Sequence, residues 1–436
     1  MPSHYDKYFD ASVETLPREE IERLQEARIL QLVPYVYNRA PLTRHIWDQA
    51  GVHPDDIKSL QDYKDKAPFI NKDTIREFRD NNSDPFGGLC CVVQPHLKGI
   101  GFTSGTTGDP TPVPRAKHTL SMLDLKRCFW HMGLRPKDYF INAMFTFREG
   151  QTADRCIEAD FKPINFCYKP SEVVPRIIEA SLKYRPKVFF MLSTPMVTAI
   201  EKYVRDRNID IKEAFASYQG AVFGGEMLGD SMRQRINSWG LEVYEYTTLG
   251  DVCGAMQCSA HDGMHAWEDL ALVEVLDPDG SEPVADGEVG ELVVTALMDD
   301  VAPLVRFRTD DLVKITREPC SCGRTHARFW PLGRKGDQII VRGKSILPRD
   351  LLPIFQTQAE TSSGLFQIIL RSREADTLEL RVGYDASVTG DPAELKSRLL
   401  ELVSNGMEVP VAIDLVVDDE LLKLGPPQKI PRVTKS

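Results

Sequence analysis

Between about residues 95 and 250, short apolar runs alternate with helical patterns, and polar or glycine-containing turns follow the runs. Residues 187–192 have the composition of a buried strand. Ser193-Thr194-Pro195 comes next, and then a helical pattern to about Arg207. Residues 221–223 and 242–244 are predicted as two further strands. A succession of strand, turn and helix predicts an α/β fold with a largely parallel sheet, in which ligands lie at the carboxyl ends of the strands.

One turn in this region, FTSGTTGDPTPVPR at residues 102–115, is rich in glycine, serine and threonine. The backbone N–H groups and hydroxyls of such a loop can surround phosphate oxygens. It is not a Walker loop, because the chain contains no G-x-x-x-x-G-K-[ST], and its glycine spacing is not that of a dinucleotide fingerprint. Taken alone, such a loop is more often an ordinary turn than a nucleotide site.

The order S-G-T-T-G-x-P-T at residues 104–111 resembles the phosphate loop of the adenylate-forming acyl-CoA synthetases, and most closely that of the phenylacetate–CoA ligase family. The resemblance extends from about residue 10 to the C-terminus and is concentrated in about six motifs. It implies a large N-terminal domain with mixed, largely parallel sheets and helices (residues 1–333) and a small mobile α+β C-terminal lid (residues 334–436). It also implies that ATP, Mg²⁺ and coenzyme A are ligands.

The resemblance gives several residues a role in binding ATP. In the family the phosphate loop holds the β- and γ-phosphates, and the turn after a later strand lies against adenine. The corresponding residues are Ser104, Gly105, Thr106, Thr107 and Gly108 in the loop, and Gly225 and Glu226 in the turn.

The family motif Y-G-[LST]-[ST]-E, which stacks on adenine and holds Mg²⁺, matches residues 247–251 least well. Asp251 takes the place of the Mg²⁺-binding glutamate, and its carboxylate oxygens suit that ion. Thr247 cannot stack, so Tyr244 or Tyr246 is the candidate for that contact. Gly250 lacks the hydroxyl that would contact a phosphate.

The C-terminal motifs complete the nucleotide site and the lid. By position, Asp311 would accept hydrogen bonds from the ribose hydroxyls, Arg334 would contact the nucleotide and Gly336 would be the hinge. Arg342 and Gly343 would face the coenzyme A tunnel. Lys429, in a G-K-x-x-R-like context, would reach the carboxylate and the α-phosphate and stabilise the charge that develops during attack.

A pocket for the acid is predicted around residues 142–150 and the end of the strand at residues 221–223. Phe145, Phe147, Ala221 and Gly224 could form an apolar slot. Arg148 could meet a polar substituent of the ring or pair with Glu149, and the sequence leaves both alternatives open. The resemblance favours an aromatic acid of the phenylacetate, benzoate or anthranilate class.

Two pairs of soft ligands are spaced as in a metal site. Cys258 and His265 form C-x6-H, and Cys320 and Cys322 form C-x-C. One branch of the family carries the same four positions, so the resemblance implies a structural Zn²⁺ with four protein ligands and no open position. His261 and His326 are alternative fourth ligands, and buried inert thiols are the alternative to any metal site.

Charge and composition exclude other classes. The net charge of −11 argues against a nucleic-acid-binding protein. No apolar run approaches the 18 residues of a spanning helix, and the N-terminus lacks the pattern of a secretory signal. The nine cysteines are an odd number, which favours free thiols and a cytoplasmic location. A homodimer is left open.

The sequence therefore predicts an AMP-forming acid–thiol ligase. It would convert an aromatic acid to an acyl-adenylate and then to a coenzyme A thioester. Two alternatives remain: an adenylating ligase that passes the acyl group to an amine or a carrier protein, and a catalytically degenerate, zinc-stabilised binding scaffold. The departures at Thr247 and Gly250 motivate the scaffold, whereas the retention of Asp311, Arg334 and Lys429 argues against it.

Overall fold

A computed structural model describes residues 7–102, 112–116, 123–144, 160–166, 169–424 and 430–435. The contacts among residues divide the chain into two compact units. The first contains Met1–His131, Thr146–Ala159 and Tyr246–Pro331, and the second contains Met132–Phe145, Asp160–Glu245 and Leu332–Ser436. Each unit is therefore discontinuous in sequence.

The first unit begins with helices. They are α1 (Ala11–Glu14), α2 (Arg18–Arg39), α3 (Pro41–Ala50), α4 (Leu60–Lys66) and α5 (Lys72–Asn82). In α2, buried residues recur every three to four positions, as in Ile21, Gln25, Ile29, Leu32 and Val36, so one face of the helix covers the core. The apolar spacing from Leu16 to about Tyr37 predicts an amphipathic helix, and the structure confirms it with both ends about two residues later.

A hairpin follows the helices. Strands β1 (Leu97–Phe102) and β2 (Pro112–Ala116) pair antiparallel, with Phe102 opposite Pro112. The segment between them is the predicted phosphate loop, and it lies outside the described residues. Helix α6 (Leu123–His131) ends this part of the first unit.

The second unit contains the predicted parallel sheet. Its elements are β3 (Tyr139–Asn142), β4 (Lys162–Asn165), α7 (Pro170–Tyr184), β5 (Val188–Leu192), α8 (Thr194–Arg207), α9 (Ile211–Ala214), β6 (Gly220–Gly224) and α10 (Asp230–Ser238). The strands lie in the order β4-β3-β5-β6, and their pairings are parallel. Strands β5 and β6 are buried on both faces, because helices cover a parallel sheet on both sides.

The chain returns to the first unit through antiparallel strands. They are β7 (Val243–Leu249), β8 (Cys253–Gln257), β9 (Met264–His265), β10 (Ala271–Leu276), β11 (Gly290–Ala296), β12 (Phe307–Thr316) and β13 (Arg328–Arg334). Strand β8 pairs with β7 and β9, and β11 pairs with β10 and β12. The sequence pattern from about Leu270 to Ile315, with turns at Asp277-Pro278-Asp279-Gly280 and Asp286-Gly287, predicts a β-rich segment, and β10, β11 and β12 confirm it.

The C-terminal segment of the second unit has strands, helices and a core of its own. Its elements are β14 (Ile339–Val341), β15 (Lys344–Ile346), α11 (Pro348–Gln356), β16 (Phe366–Leu370), β17 (Glu374–Ala375), β18 (Leu378–Tyr384), α12 (Pro392–Met407), β19 (Val411–Val417), α13 (Asp418–Leu421) and β20 (Val433–Lys435). One sheet has the order β19-β18-β16-β20 and the other β15-β14-β17. The fully buried members of the core lie between Ile339 and Ile413. The separate C-terminal domain from Arg334 stays a prediction.

The predicted mixed α/β fold is thus confirmed, with parallel pairing among β3, β4, β5 and β6 and antiparallel pairing among β7, β8 and β9 and among β10, β11 and β12. Among the described helices, none has both the length and the apolar character that crossing a membrane requires.

Candidate active site and metal cluster

The turn after β6 places a glutamate between two donors. Gly225 has a φ of +85°, a conformation that glycine adopts without strain, and the turn sets the direction of the next side chain. Glu226 Oε1 accepts a hydrogen bond from the backbone N–H of Thr194 at 2.6 Å, and its Oε2 lies 3.3 Å from Nη2 of Arg432. The carboxylate predicted to lie against adenine therefore bridges the first turn of α8 and the C-terminal segment.

The end of β7 forms a tight hairpin with β8. The N–H of Val252 donates to the carbonyl of Leu249 at 2.8 Å, and the two central residues, Gly250 and Asp251, have φ values of +48° and +68°. Positive φ at both central positions is the backbone of a type I′ turn. The predicted Mg²⁺ ligand Asp251 thus lies at the tip of a hairpin.

Packing explains why position 250 has no hydroxyl. A Cβ atom on Gly250 would lie 2.4 Å from Cγ2 of Thr309 and 2.8 Å from Cγ2 of Val294. Both distances are below van der Waals contact, so a serine or threonine has no room there.

The tyrosines of β7 are packed against glycines. The ring of Tyr246 fills the space beside Gly254. A Cβ atom added to Gly254 would lie 2.2 Å from the hydroxyl oxygen of Tyr246. In the second unit, Cε2 of Tyr244 is 3.2 Å from the Cβ position of Gly220. Both tyrosines are buried, whereas Thr247 is half-buried. The stacking role of Tyr246 stays a prediction.

A bulge in β12 sets the position of the predicted ribose ligand. Asp310 has a φ of +63°, and the register of β11 and β12 shifts between Glu291 and Val293. Such a bulge changes the direction of the neighbouring side chains. Asp311 is half-buried, and its N–H donates to Oγ1 of Thr309 at 3.1 Å.

The arginines of the same motif hold the sheet together. Nη2 of Arg308 lies 2.6 Å from a carboxylate oxygen of Glu291, and Arg306 pairs with Glu274 at 3.2 Å. Burial raises the pKa of Glu274, and Arg306 opposes that shift. These arginines have structural partners in the first unit.

Residues with positive φ occur in the motifs predicted for the lid and its hinge. Arg342 (φ +49°) and Gly343 (φ +81°) form the exposed two-residue tip of the β14–β15 hairpin. Arg334 is the last residue of β13. Gly336 is exposed, and a Cβ added to it would have no atom within 4 Å, whereas Gly333 has a φ of +146° that other residues rarely adopt. The backbone near the predicted hinge requires glycine at 333 rather than at 336.

Nine of the predicted site residues lie outside the described residues. They are Ser104, Gly105, Thr106, Thr107, Gly108, Phe145, Phe147, Arg148 and Lys429. Of the predicted acid pocket, Ala221 and Gly224 are described. Both are buried in β6, and Ala221 belongs to the hydrophobic core of the second unit.

The four predicted metal ligands lie together in the first unit. The ligand atoms of Cys258, His265, Cys320 and Cys322 are all within 4.8 Å of one another, and the four residues are buried. The Cys258 and Cys320 sulfurs are 3.6 Å apart, and Cys322 Sγ is 3.3 Å from Nε2 of His265. Tetrahedral Zn²⁺ with Zn–S and Zn–N bonds of about 2.3 and 2.0 Å would place such atoms about 3.5–3.8 Å apart. The donor set therefore fits zinc.

Hydrogen bonds orient His265 as a metal ligand and engage the ring of the alternative ligand His326. Nδ1 of His265 lies 3.1 Å from the carbonyl oxygen of His326, which leaves Nε2 directed at Cys322. His326 accepts from the N–H of Glu268 through Nδ1 and contacts the carbonyl of Val13 through Nε2. Both nitrogens of His326 are thus engaged away from the cluster.

Arg324 supports the cluster electrostatically. Its backbone N–H donates to Cys322 Sγ at 3.4 Å, and its buried guanidinium pairs with Glu14 at 2.8 Å. Hydrogen bonds with Cys258 and with His265 lower the pKa of Cys322, whereas the hydrogen bond with Cys322 raises the pKa of Cys258. A buried cation beside these thiols favours the thiolate that a metal needs.

A cavity of about 10 Å³ lies beside this cluster, lined in part by Arg127, His131, Trp267 and Arg324. That volume holds about one water molecule. The cavity is therefore too small for a nucleotide or an aromatic acid, and the cluster is not a substrate site.

Known enzymes share much of this sequence. The chain is 32% identical over 388 residues to the phenylacetate–coenzyme A ligase of Thermus thermophilus, covering 86% of this chain and 84% of the relative. The chain belongs to the phenylacetate–coenzyme A ligase family. The enzyme of the same name from Escherichia coli (strain K12) is 30% identical over 352 residues, covering 78% and 77% of the two chains. None of the models of known protein families matches the chain.

Solved structures share the fold. A 2-hydroxyisobutyryl-CoA ligase in its postadenylation state superposes with a TM-score of 0.86 at 24% identity, covering 100% of this chain and 94% of the other. The amide bond synthetase McbA from Marinactinospora thermotolerans gives a TM-score of 0.55 at 16% identity, covering 74% and 66%. Because a CoA ligase and an amide bond synthetase both have this fold, the fold alone does not decide the acceptor.

Proposed function

We propose that this protein activates an aromatic carboxylic acid of the phenylacetate, benzoate or anthranilate class and transfers it to coenzyme A. The observation that carries the proposal is the 32% identity, over 86% of the chain, to a phenylacetate–coenzyme A ligase. A match of that length spans both compact units and is not confined to a single motif.

The reaction has two steps. An oxygen of the substrate carboxylate attacks the α-phosphorus of ATP, the bond to the β-phosphate oxygen breaks, and acyl-adenylate and pyrophosphate form. The coenzyme A thiol then loses its proton and attacks the acyl carbon, and AMP leaves with the electron pair of the broken C–O bond. The protein contributes the alignment of two anions and the neutralisation of their charge.

The resemblance assigns the roles in the first step. Residues 104–108 would surround the β- and γ-phosphates, and Asp311 would hold the ribose. Asp251 would supply a carboxylate to Mg²⁺, an ion that neutralises phosphate charge when bound. Arg334 would contact the nucleotide, and Lys429 would approach the carboxylate and the α-phosphate. Arg342 and Gly343 would face coenzyme A in the second step.

The proposal includes a structural Zn²⁺ held by Cys258, His265, Cys320 and Cys322. Four protein ligands complete a tetrahedral site and leave no position for substrate, so the ion would stabilise the first unit without taking part in the reaction. A cytoplasmic location completes the proposal. The homodimer stays an open alternative to the monomer, and light scattering distinguishes the two.

Pyrophosphate exchange tests the function. Purified protein would be assayed for ATP–pyrophosphate exchange against aryl, arylacetic and aliphatic acids, and for AMP release with and without coenzyme A. We expect exchange with aromatic acids and AMP release that depends on coenzyme A. Exchange without a coenzyme A effect would favour an amine or carrier-protein acceptor. Absence of exchange together with absence of ATP binding by calorimetry would favour the degenerate scaffold.

The lysine assignment has a separate test. Lys429→Ala is expected to slow adenylate formation by about 100-fold or more, because a cation placed at developing charge is worth several kcal/mol. Lys423→Ala, at an exposed lysine of the same segment, is the control and should retain the wild-type rate. An unchanged exchange rate in Lys429→Ala would remove the lysine from the mechanism.

A further inference from the structure

The C-terminal end of the chain is fixed to its own sheet. Strand β20 pairs in parallel with β16, and the N–H of Ile368 donates to the carbonyl of Arg432 at 2.7 Å. Nε2 of Gln367 donates to the carbonyl of Pro431 at 3.0 Å, and Ile430 is buried beside Leu365. The backbone from residue 430 onward is thus held within the C-terminal segment.

Arg432 extends from this anchored strand to the turn after β6. Its Nη1 donates to the carbonyl of Gly364 at 2.6 Å, its guanidinium lies 4.8 Å from the centre of the Phe366 ring, and its Nη2 reaches the carboxylate of Glu226. The side chains of Arg432 and Glu226 are only 11% and 2% exposed. Removal of either charge would leave the other one buried without its ionic partner, so the pair is sensitive to substitution.

Glu226 also fixes the beginning of a helix. Its Oε1 accepts from the N–H of Thr194, the first residue of α8, where an anion is favoured by the exposed N–H groups and the helix dipole. One carboxylate therefore connects three structures of the second unit: the turn after β6, the start of α8 and the strand that carries Arg432.

Other residues of the same turn lie against the C-terminal segment. Met227 packs on the core of that segment. A Cβ on Gly229 would lie 2.1 Å from Oε1 of Gln356 in α11, so the two backbones approach closely. The ion pair of Glu226 and Arg432 is thus the charged part of a larger contact within the second unit.

Arg432 follows Lys429 by three residues. Three consecutive Cα–Cα steps of 3.8 Å bring their Cα atoms within about 11 Å of each other. The position of Arg432 therefore limits how far from this strand the lysine that the proposed function requires at the attacked phosphate can lie.

We propose that Glu226 is a positioning residue for the first step: through Arg432 it holds the C-terminal strand, which follows Lys429 in the sequence, against the turn after β6. The inference rests on the proposed function. It gives the Glu226 carboxylate two protein partners in addition to the adenine contact that the sequence predicts, and that contact stays a prediction.

The substitution Glu226→Gln tests this role with little change of shape. The amide oxygen of glutamine can still accept from Thr194, whereas its NH₂ group cannot accept from Arg432. Glu201→Gln is the matched control, because Glu201 lies on α8 of the same unit and pairs with Arg235 rather than with Arg432.

Two half-reactions are then measured separately in the full-length protein. The first is ATP–pyrophosphate exchange with the best acid, and the second is thioester formation from synthetic acyl-adenylate and coenzyme A. We expect Glu226→Gln to lower kcat for exchange by about 10- to 100-fold, since small misplacements of reacting groups have effects of that size. KM for ATP and the rate of the second half-reaction should stay within about twofold of wild type, as should all rates of Glu201→Gln.

A double-mutant cycle strengthens the test. If the two side chains act as one unit, Glu226→Gln combined with Arg432→Met should be no slower in exchange than Arg432→Met alone. Multiplicative effects would overturn the inference. So would a raised KM for ATP at unchanged kcat, which an adenine contact would give, or equal slowing of both half-reactions. A wild-type protein without exchange on any acid would overturn the proposed function and this inference with it.

Discussion

At position 250 the chain requires glycine for two separate reasons. The positive φ disfavours any side chain, and Thr309 and Val294 fill the space that a Cβ would need. From the resemblance to the family, Gly250 is expected to lack a hydroxyl contact with a phosphate of ATP. In the structure, the absence of a side chain at position 250 allows the β7–β8 turn to pack against β11 and β12.

Gly250→Ala is expected to destabilise the protein by about 2–4 kcal/mol, because strain and overpacking add. Two controls separate these causes in chemical denaturation. Gly51→Ala has a positive φ but no atom within 4 Å of the added methyl group, so about 1 kcal/mol is expected. Gly390→Ala has neither problem and should be neutral. If Gly250→Ala and Gly51→Ala lost equal amounts of unfolding free energy, the close packing around Gly250 would be contradicted.

A partly buried carboxyl makes stability depend on pH. Burial raises the pKa of Asp418 from 3.8 to about 6, with Asp385 adding to the shift and the hydrogen bond with Ser363 opposing it. Between these pH values the folded protein binds more protons than the unfolded chain, so stability falls as pH rises from about 4 to 6 and stays lower above.

Asp418→Asn should remove that dependence and stabilise the protein at pH 7 by up to about 3 kcal/mol, since one pKa unit is about 1.4 kcal/mol. Melting temperatures of both proteins at pH 5 and pH 8 measure the effect. Asp414→Asn, at an exposed position of β19, is the control and should melt like wild type at both pH values. If the increase in melting temperature from wild type to Asp418→Asn were larger at pH 5 than at pH 8, the prediction would be contradicted.

At the scale of elements, local patterns predicted the strands and helices well, because burial repeats with the period of each element. Strand β5 lies at 188–192, where 187–192 was predicted, and α8 ends at Arg207 as expected. The type I′ turn at Gly250-Asp251 was missed, although Gly-Asp between two apolar runs is a known hairpin signal.

Long-range pairs could not be predicted in this way. Glu226 and Arg432 are separated by 206 residues, and Glu14 and Arg324 by 310. Nothing in the local sequence of either partner indicates the other. The Cys and His pairs were identifiable because each pair has a ligand spacing of its own, and the structure brings the two pairs together.

The metal cluster makes an element-scale prediction. Cys322→Ser should lose bound zinc and lower the melting temperature, because the remaining three ligands do not complete a structural site. Zinc content by mass spectrometry and thermal unfolding provide the measurements. Cys90→Ser, at a half-buried thiol outside the cluster, should keep its zinc. Wild-type protein without stoichiometric zinc, or Cys322→Ser with full zinc content, would contradict the site.

At the scale of the whole molecule, contacts and sequence divide the chain differently. The sequence predicts one boundary near residue 333, whereas the contacts give two discontinuous units. The C-terminal segment nevertheless buries a core drawn from its own strands and helices, with Met227 as a partly buried addition from outside.

A fragment of residues 337–436 is therefore expected to fold on its own. It should unfold cooperatively on heating and give a dispersed amide spectrum, because the core between Ile339 and Ile413 is complete within it. A fragment starting at Leu365 lacks β14, β15 and α11 and should not fold. Loss of cooperative unfolding in the longer fragment would show that the segment depends on the rest of the second unit.

The partners of the first residues in the chain are among the last residues of the first unit to be synthesised. Tyr8 donates to the carbonyl of Cys322, Glu14 pairs with Arg324, and the carbonyl of Val13 contacts His326. A ribosome that adds about 5–20 residues per second needs about 15–60 s to cover the 310 residues between Glu14 and Arg324. During that interval the start of the chain has left the ribosome without these partners. The N-terminal segment can therefore dock only late in translation, after the second pair of metal ligands has emerged.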